Sequence, residues 1–320
     1  MFTFGSDPEF MIFDGSTVKS AIGVLPKKED APDKNGYKYY YDNVLAEIAV
    51  KPASNREEAL SNTKHALGEL ANLVSPVGKI AVMAATNYPK SELKTEEAKI
   101  AGCNPEWSVY TLEPIEPPKD VIHMVDGHFE FKVPFRTAGG HIHLGNERYK
   151  DTDEILSTIR MMDLFIGIPS IFLDTDETSK ARRKAYGLAG SHRVPDFRSV
   201  RYHGLEYRPL SNFWFSSPVY FNLVYDLCEF VTDFVEKGQD KKFWSFDQEV
   251  YEDAEDPSTA YKCFGYDVKM LKKCINTCDK KLAEKFMLFI GNYMPSKILQ
   301  EFDRLSGQKL PDLYKSWGLK

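Results

Sequence analysis

The 320-residue sequence has few cysteines and no long hydrophobic run. Its five cysteines include no CxxC pair, so no disulfide framework is expected, and Cys274 and Cys278 read as reduced thiols on a helix. No stretch approaches the roughly 18 consecutive apolar residues of a membrane span, and the first residues lack the basic and apolar regions of a signal peptide. We therefore expect a soluble, cytoplasmic protein without a membrane partner.

An excess of positive charge is also missing, since 41 Lys and Arg stand against 47 Asp and Glu. The formal charge of −6 argues against nucleic acid as a general partner. The charge is unevenly distributed, however. Residues 180–208 contain eight Lys and Arg against two Asp and Glu, so this basic segment of local charge +6 lies in a remainder of charge −12. A basic segment in an acidic protein is a first indication of an anion-binding region.

The hydrophobic pattern predicts an α+β fold with a mainly antiparallel sheet. Strand-like segments precede residue 215, and they include FMIF, YKYYYDNVLAEIAV, KIAVMAA, FEFKVPF, GGHIHLG and LEYRPL. Helical periodicity is expected over 55–75, 153–173 and 217–237, with two more helices in 268–305, and Pro169 should kink or end the second of these helices. We expect residues 1–215 to form a core and residues 216–320 a mostly helical part packed on the same domain.

Three of the strand-like segments each carry two polar side chains at positions i and i+2. These pairs are Asp7 and Glu9, His141 and His143, and Glu206 and Arg208. Because side chains alternate along a strand, the members of each pair point to the same face. One such pair is ordinary on an exposed sheet. Three pairs that supply carboxylates, imidazoles and a guanidinium predict a common site if the strands are neighbours.

A fourth segment, YDNVLAEIAV, adds Asp42, Asn43 and Glu47. Asp42 and Glu47 are five residues apart and would face opposite sides of a regular strand. Both reach one site only if Asp42 lies in the entry turn or a bulge intervenes. The carboxylates of such a face suit Mg²⁺ or Mn²⁺, which prefer hard oxygen ligands.

The basic segment complements a metal-binding face. Its arginines are suited to charge-assisted, bidentate bonds with phosphate oxygens, and they are Arg182, Arg183, Arg193, Arg198 and Arg201. Its glycine-rich part, YGLAGSHR at 186–193, allows the backbone around Ser191 to approach an anion closely. Metal ions, arginines and an anion together are the requirements of phosphoryl transfer, with ATP as the expected nucleotide.

Two further readings come from the residues alone. His141, His143 and Glu147 fit HxHxxxE, part of the cupin metal signature, although the flanking glycines and the second half of that signature are not evident. Trp107, Tyr110 and Tyr37 lie in loops that are candidates for pocket walls, and they are equally suited to the core or the surface. Both readings stay open at this level.

Five blocks of the sequence, in this order, resemble the phage-type carboxylate–amine ligases. The blocks are GSDPEF at 5–10, YDNVLAEI at 41–48, GGHIHLG at 139–145, RRKAYGLAGSHR at 182–193 and LEYRPLSNFW at 205–214. That family belongs to the superfamily of glutamine synthetase and γ-glutamylcysteine synthetase. The resemblance spans about residues 5–215. It implies a glutamine-synthetase-like catalytic fold, in which a curved sheet forms an active-site funnel.

The resemblance also implies roles for individual residues. As metal ligands it suggests Asp7, Glu9, Asp42, Glu47, His141 and Glu206, with Asp7 in place of the family's first glutamate. His143 would lie beside the nucleotide, and Arg208 would face substrate or phosphate. Arg193 and Arg183 match upstream arginines of the family. Asp7 and Asn43 are candidates for the group that deprotonates the incoming amine.

The implied activity is an ATP- and magnesium-dependent ligation through an acyl phosphate. A substrate carboxylate attacks the γ-phosphate, and an amine then displaces phosphate. Three alternatives remain: a phosphotransferase related to guanidino kinases, a non-catalytic nucleotide-binding module and, least favoured, a cupin-like single-metal enzyme. The substrates are expected to be small molecules or peptides, and a modified nucleobase as acceptor stays open. The resemblance suggests a phage or bacterial source and action in the host cytoplasm. The oligomeric state is not predicted.

Overall fold

The computed structural model describes residues 2–101, 106–193, 204–246, 260–263 and 266–320. Its largest element is a nine-stranded sheet. Every strand pair in this sheet is antiparallel. Its strands are β1 (Thr3–Asp14), β2 (Thr17–Lys19), β3 (Lys38–Asp42), β4 (Leu45–Ala53), β5 (Lys79–Ala81), β7 (Trp107–Ser108), β11 (Gly140–Gly145), β12 (Ser191–Arg193) and β13 (Gly204–Tyr207). Seven of them lie in the order β3-β4-β1-β11-β13-β12-β7, and β2 and β5 add to the sheet by pairing with β1.

Three small sheets lie beside the large one. They consist of β6 (Ala85–Asn87) with β10 (Phe135–Thr137), the hairpin of β8 (Ile122–Val125) and β9 (His128–Phe131), and β14 (Trp244–Phe246) with β15 (Tyr261–Cys263) and β16 (Tyr266–Asp267). All of their strand pairs are antiparallel as well. The predicted mixture of helices with a mainly antiparallel sheet is therefore confirmed.

Strand β1 lies between β4 and β11, and β13 follows β11, so the three predicted polar pairs do lie on neighbouring strands. The alternate residues of β11 and β13 form the other face of the sheet. Ile142, Leu144, Leu205 and Tyr207 are all at most 1% exposed. Helices cover this apolar face, so the polar residues are left on the opposite one.

Strands β3 and β4 form a hairpin with a two-residue connection, Asn43 and Val44. Asn43 adopts a φ of +52°, which a tight turn requires and asparagine tolerates. Asp42 ends β3 and Glu47 lies in β4, where it pairs with Tyr40. The two carboxylates therefore reach one face from adjacent strands, with Asp42 at the edge of the turn.

The helices are α1 (Arg56–Val74), α2 (Thr152–Met162), α3 (Ile168–Leu173), α4 (Ser179–Ala185), α5 (Pro218–Glu236), α6 (Val268–Asn276), α7 (Lys280–Ile290), α8 (Ser296–Leu305) and α9 (Leu313–Trp317). Short 3₁₀ turns occur at Lys90–Leu93, Glu147–Lys150, Asn212–Phe215 and Asp240–Lys242. Helix α1 begins after Asn55, whose side chain accepts a hydrogen bond from the amide of Glu58, as expected of an N-cap.

Helices α2 and α3 are joined by a π-helical turn, Asp163–Gly167. Pro169 is the second residue after this turn, and because proline has no N–H to donate, the regular hydrogen-bond ladder cannot continue unchanged. The stretch Thr152–Leu173 is long and apolar enough to cross a membrane. Its most apolar 18 residues have a mean hydropathy of 1.5, but 83% of them are buried in the protein. It has the character of a core helix.

The C-terminal helices share the main hydrophobic core with the sheet. Trp317 of α9 is 2% exposed, and its indole N–H donates to the carbonyl of Phe215 at 2.7 Å. Cys228, Cys263, Cys274 and Cys278 are free thiols, and Cys103 lies outside the described residues. The division of the chain at residue 215 stays a prediction.

Candidate active site

Strand register places the polar side chains of five strands on one face of the large sheet. Asp7 is opposite His141, Glu9 is opposite Glu47, and His143 is opposite Glu206. On β12, Arg193 is also opposite Glu206. Directly opposed residues of antiparallel strands share a face, so these pairings bring carboxylates, imidazoles and guanidinium groups together.

A first potential cation site is formed by Asp7, His143 and Glu206, whose ligand atoms lie within 4.8 Å of one another. Oδ1 of Asp7 is 3.0 Å from Nε2 of His143 and 3.2 Å from Nδ1 of His141, without hydrogen-bond geometry. His141 is 2% exposed, and its Nε2 has no hydrogen-bond partner. Carboxylate and imidazole atoms that converge within this distance suit a cation between them.

The electrostatics of this first site follow from burial and from the nearby charges. Burial would raise the pKa of Asp7, but His143 and His141 outweigh it and hold that pKa well below its usual range. Burial raises the pKa of Glu206 to about 7, and the Asp7 carboxylate adds to this shift. Burial and the guanidinium of Arg208 lower the pKa of His141 to about 3, so this ring is neutral and able to act as a ligand.

A second potential cation site is formed by Glu9, Asp42 and Glu47, again with ligand atoms within 4.8 Å of one another. Glu9 is held by the amide of Gly139, which donates to Oε2 at 2.6 Å, and Glu47 by the hydroxyl of Tyr40 at 2.7 Å. Burial, with the charges of Asp42 and Asp7, raises the pKa of Glu9 to about 8. Two buried carboxylates and a half-buried one that repel one another favour a divalent cation at their centre.

Arg208 crosses the site from the end of β13 and is 5% exposed. Its guanidinium donates to the carboxylate of Glu206, to the hydroxyl of Tyr186 and, from Nε, to Oε1 of Glu106 at 3.2 Å. Glu106 also accepts a hydrogen bond from the amide of Gly187 at 3.3 Å. Sequence reasoning missed Glu106, because it lies in a proline-rich stretch with no periodic pattern.

The other arginines of the basic segment fall into different positions. Arg182 is 1% exposed and donates to the carbonyls of Ala138, Pro209 and Arg208 at 2.9, 2.8 and 3.3 Å. Arg183 is 2% exposed and donates to the Ser170 hydroxyl at 2.8 Å and to the Ile275 carbonyl at 3.3 Å. Arg193 is exposed beside the first cation site. Arg198 and Arg201 lie outside the described residues.

These positions separate the arginines by what they hold. Arg182 and Arg183 stabilise backbone and core, whereas Arg193 and Arg208, alone among the described arginines of the set, line the polar side of the site. Gly187 leaves room for the buried guanidinium of Arg182, because it has no side chain. It has a φ of +74°, and a Cβ added there would lie 2.3 Å from Nη1 of Arg182.

Asn43 and Ser191 are also engaged with the backbone. The Asn43 amide donates to the carbonyls of Glu97, Ala98 and Ile100, and its oxygen accepts from Nε of Arg136. A neutral amide in such a network has no means of accepting a proton, so the geometry gives no support to Asn43 as the base. The carbonyl of Ser191 accepts from the amide of Arg208, which ties the glycine-rich segment to the site.

The alternative metal signature is not assembled. The Glu147 side chain follows β11 in a 3₁₀ turn, is 83% exposed and pairs with Lys150 at 2.5 Å. Two of the three aromatic residues proposed as pocket walls, Tyr37 and Tyr110, are buried in the main hydrophobic core instead. Tyr110 is fully buried and its hydroxyl donates to Asp163 at 2.8 Å, and the hydroxyl of Tyr37 donates to Asn62 at 3.0 Å. Trp107 lies in β7 and its carbonyl bonds the His192 ring.

Two cavities meet at this face. The polar cavity is lined by residues of both cation sites together with four basic side chains, Lys27, Lys28, Arg193 and Arg208. The apolar cavity is lined mainly by aromatic, aliphatic and proline side chains of the β8–β9 hairpin and the 115–118 loop. The cavities share four residues, Glu9, Asp42, Asn43 and Glu106. The site therefore has a charged compartment and an apolar compartment with a common wall.

Comparison with known proteins agrees with the resemblance noted in the sequence. Residues 116–258 match the family model described as Phage phiEco32-like COOH.NH2 ligase-type 2, which confirms the resemblance over that range and indicates a carboxylate–amine ligase. No curated protein matches the chain. Solved structures that match include a bifunctional glutathione synthetase from Pasteurella multocida, with 10% identity, a TM-score of 0.40, and coverage of 99% of this chain and 51% of that one. The chain spans about half the length of that enzyme, and a similarity this low carries no argument.

Proposed function

We propose that this chain, which over residues 116–258 matches a family of phage COOH.NH2 ligases, is an ATP- and magnesium-dependent ligase that forms an amide from a carboxylate and an amine. One observation carries the proposal. Two potential cation sites and two arginines lie on one face of a sheet, and residues of both sites line one cavity next to a second, apolar one. A binding protein for a nucleotide alone has no need of two adjacent cation sites.

The donor sets fit magnesium or manganese. Glu9, Asp42 and Glu47 would hold one ion with oxygen ligands, and Asp7 and Glu206 would hold another together with a histidine. The Nε2 of His143 and the Oδ1 of Asp7, both buried and without a hydrogen-bond partner, are the structural observations that support a cation here. When bound, such ions neutralise the triphosphate and the charge that develops on the transferred phosphoryl group.

The remaining side chains would bind and position the reactants. Arg208 is held in place by Glu206, Glu106 and Tyr186, so its guanidinium is pre-oriented toward the cavity. Arg193 is on the exposed side of the same cavity and would stabilise phosphate oxygens there. Lys27 and Lys28 supply further positive charge at the wall, which suits a substrate carboxylate or the nucleotide phosphates.

The reaction would proceed in two steps. An oxygen of the substrate carboxylate attacks the γ-phosphorus, the bond to the β-phosphate oxygen breaks, and ADP leaves an acyl phosphate behind. The nitrogen of the amine then attacks the carbonyl carbon, a C–N bond forms, the C–O bond to phosphate breaks, and a proton is released. Preorganised arginines that meet the transferred phosphoryl group serve both steps.

Release of ADP and phosphate tests this function. The protein with ATP, Mg²⁺ and a screen of amino acids, polyamines and peptides should form ADP only when a carboxylate and an amine are both present. Glu206→Gln and Arg208→Ala should each lose this activity. Glu147→Gln is the matched control, because Glu147 is exposed and outside both cation sites.

The outcomes separate the alternatives. A product that keeps the phosphoryl group, with no amide, identifies a phosphotransferase. Nucleotide binding without ADP from any substrate pair, and with an affinity independent of magnesium, identifies a binding module and rejects the ligase. An amide together with stoichiometric phosphate supports the proposal.

A further inference from the structure

The apolar cavity beside the second cation site has a composition that selects its ligand. The β8–β9 hairpin contributes Ile122, Phe129 and Phe131, and the loop before it contributes Pro117 and Pro118. None of these side chains offers a hydrogen bond. A ligand that enters this cavity must therefore bury an apolar body there.

The charges around the cavity are mostly negative. Its acidic lining residues among those described are Glu9, Asp42, Glu106 and Glu116, and its basic ones are Lys184 and Arg136. The inner end, which it shares with the polar cavity, is acidic, and Lys184 is exposed. The carboxylate oxygens at this inner end can accept hydrogen bonds from a ligand with a positive head.

The guanidinium of Arg136 carries a positive charge, but its hydrogen bonds go to the cavity wall and not to a ligand. Its Nε donates to Oδ1 of Asn43, and its other nitrogens donate to the carbonyls of Val133, Phe135 and Ala98 at 2.7 to 2.9 Å. Its guanidinium also lies 3.9 Å from the ring centroid of Phe131. The guanidinium is thus occupied by the cavity wall, and it fixes that wall in place.

We infer that the apolar cavity binds the amine substrate, and that this amine carries an alkyl or arylalkyl body whose ammonium head meets Glu106. The inference rests on the proposed ligase function and adds the class of the acceptor. With Glu9 and Asp42 assigned to a cation, Glu106 is the remaining carboxylate at the common wall, and beside its bonds to Arg208 and the Gly187 amide its oxygens keep acceptor sites for the ammonium. The carboxylate substrate and the phosphates belong to the polar cavity, where Lys27, Lys28 and the two arginines lie.

The geometry also places the amine correctly for attack. Because Glu106 borders both cavities and accepts a hydrogen bond from Arg208, an ammonium beside it is next to the position where the activated carbonyl would form. A nucleobase is the competing occupant. It is neutral and would need donors and acceptors for its ring nitrogens, which the hairpin and the proline loop do not supply.

Equilibrium binding separates these occupants without requiring turnover. The probes share one body and differ in the head: 2-phenylethylamine, 2-phenylethanol and 3-phenylpropanoate, each titrated at saturating Mg²⁺, with adenosine and ATP in parallel. The amine should bind about tenfold tighter than the alcohol, because charge-assisted hydrogen bonds are stronger than neutral ones, and the carboxylate should bind most weakly. Adenosine should not compete with the amine.

Variants locate the binding. Phe129→Ala should weaken 2-phenylethylamine about tenfold through lost apolar contact and leave ATP affinity unchanged. Phe131 is avoided because it supports Arg136. Ile122→Trp should also weaken the amine, by filling the cavity, so the test does not depend on one substitution. Val125→Ala, on the opposite face of the same hairpin, is the matched control and should leave binding unchanged.

Glu106→Gln tests the head group. It should reduce the preference for the amine over the alcohol to about twofold or less. Competition by adenosine, an equal loss of ATP affinity in Phe129→Ala, or no binding of any phenyl probe would overturn the inference. Amine binding with these properties but without ADP formation would instead reject the ligase function. Amide formation that is insensitive to Phe129→Ala and Ile122→Trp would reject the amine cavity alone.

Discussion

Replacing Arg182 by lysine distinguishes a structural arginine from a phosphate-binding one. In the folded protein its guanidinium donates to three buried carbonyls, those of Ala138, Pro209 and Arg208. A lysine keeps the positive charge, but its single ammonium on a different stem replaces only one of these bonds. Any loss then reports on hydrogen-bond geometry and hardly at all on charge.

The expected loss of stability follows from the number of carbonyls left without a donor. A buried acceptor that loses its partner costs about 1–3 kcal/mol, so two of them predict a decrease of about 2–6 kcal/mol in the free energy of unfolding. Urea denaturation followed by circular dichroism measures this decrease as a lower midpoint with an unchanged slope. The KM for ATP of the folded variant should stay within about twofold of the parent value.

Arg193→Lys is the matched control for this substitution. Arg193 belongs to the same basic segment but is exposed, so its replacement should leave the urea midpoint unchanged while raising the KM for ATP. The opposite pattern is decisive. If Arg182→Lys keeps its midpoint and raises the KM for ATP about tenfold, Arg182 is a phosphate ligand and the structural role argued from its carbonyl partners is wrong.

Three further perturbations test other parts of the structure. Glu9→Gln keeps an acceptor for the Gly139 amide but should bind magnesium at least about tenfold more weakly, measured as loss of the magnesium-dependent rise in Tm; an undiminished rise would exclude Glu9 as a ligand. Burial raises the pKa of Asp163 from 3.8 to about 7, so its contribution to stability is greatest below about pH 4 and falls by up to about 4 kcal/mol as the pH rises to 7. Asp163→Asn should flatten the dependence of the free energy of unfolding on pH, measured by urea titrations from pH 4 to 8. A profile parallel to that of the parent protein would contradict the raised pKa of Asp163. Trp317→Ala should cost about 3–5 kcal/mol, because its ring is buried and its N–H bonds Phe215; a change below 1 kcal/mol in the same assay would show that the C-terminal helix is dispensable.

The site was predictable where residue chemistry and strand period coincide. The pairs on β1, β11 and β13 stand out because two titratable residues at i and i+2 must share a face, whatever the rest of the fold. Whether Asp42 joins Glu47 depended on the place of the turn. The tight hairpin at Asn43, with its positive φ, puts the two residues on adjacent strands, a solution that spacing alone does not single out.

The basic segment shows why other features were not predictable. Arg182 and Arg193 have the same side chain and lie eleven residues apart, yet one is 1% exposed and the other is exposed. Their difference arises from the carbonyls that tertiary packing brings to Arg182. Glu106 became visible only through its contact with Arg208, a residue 102 positions away in the chain. Long-range partners of this kind leave no mark on local sequence.

The β8–β9 hairpin contributes walls to the apolar cavity but no strand to the large sheet. Under the proposed function, much of the apolar wall that would select the acceptor lies outside the sheet that would hold the cations. Exchanging a hairpin is a smaller change than rebuilding a sheet, so the hairpin is a natural place to engineer new acceptors. A library randomised at Ile122 and Phe129 would leave the residues of the two cation sites unchanged, and it would test whether the hairpin sets the choice of acceptor under the proposed ligase function.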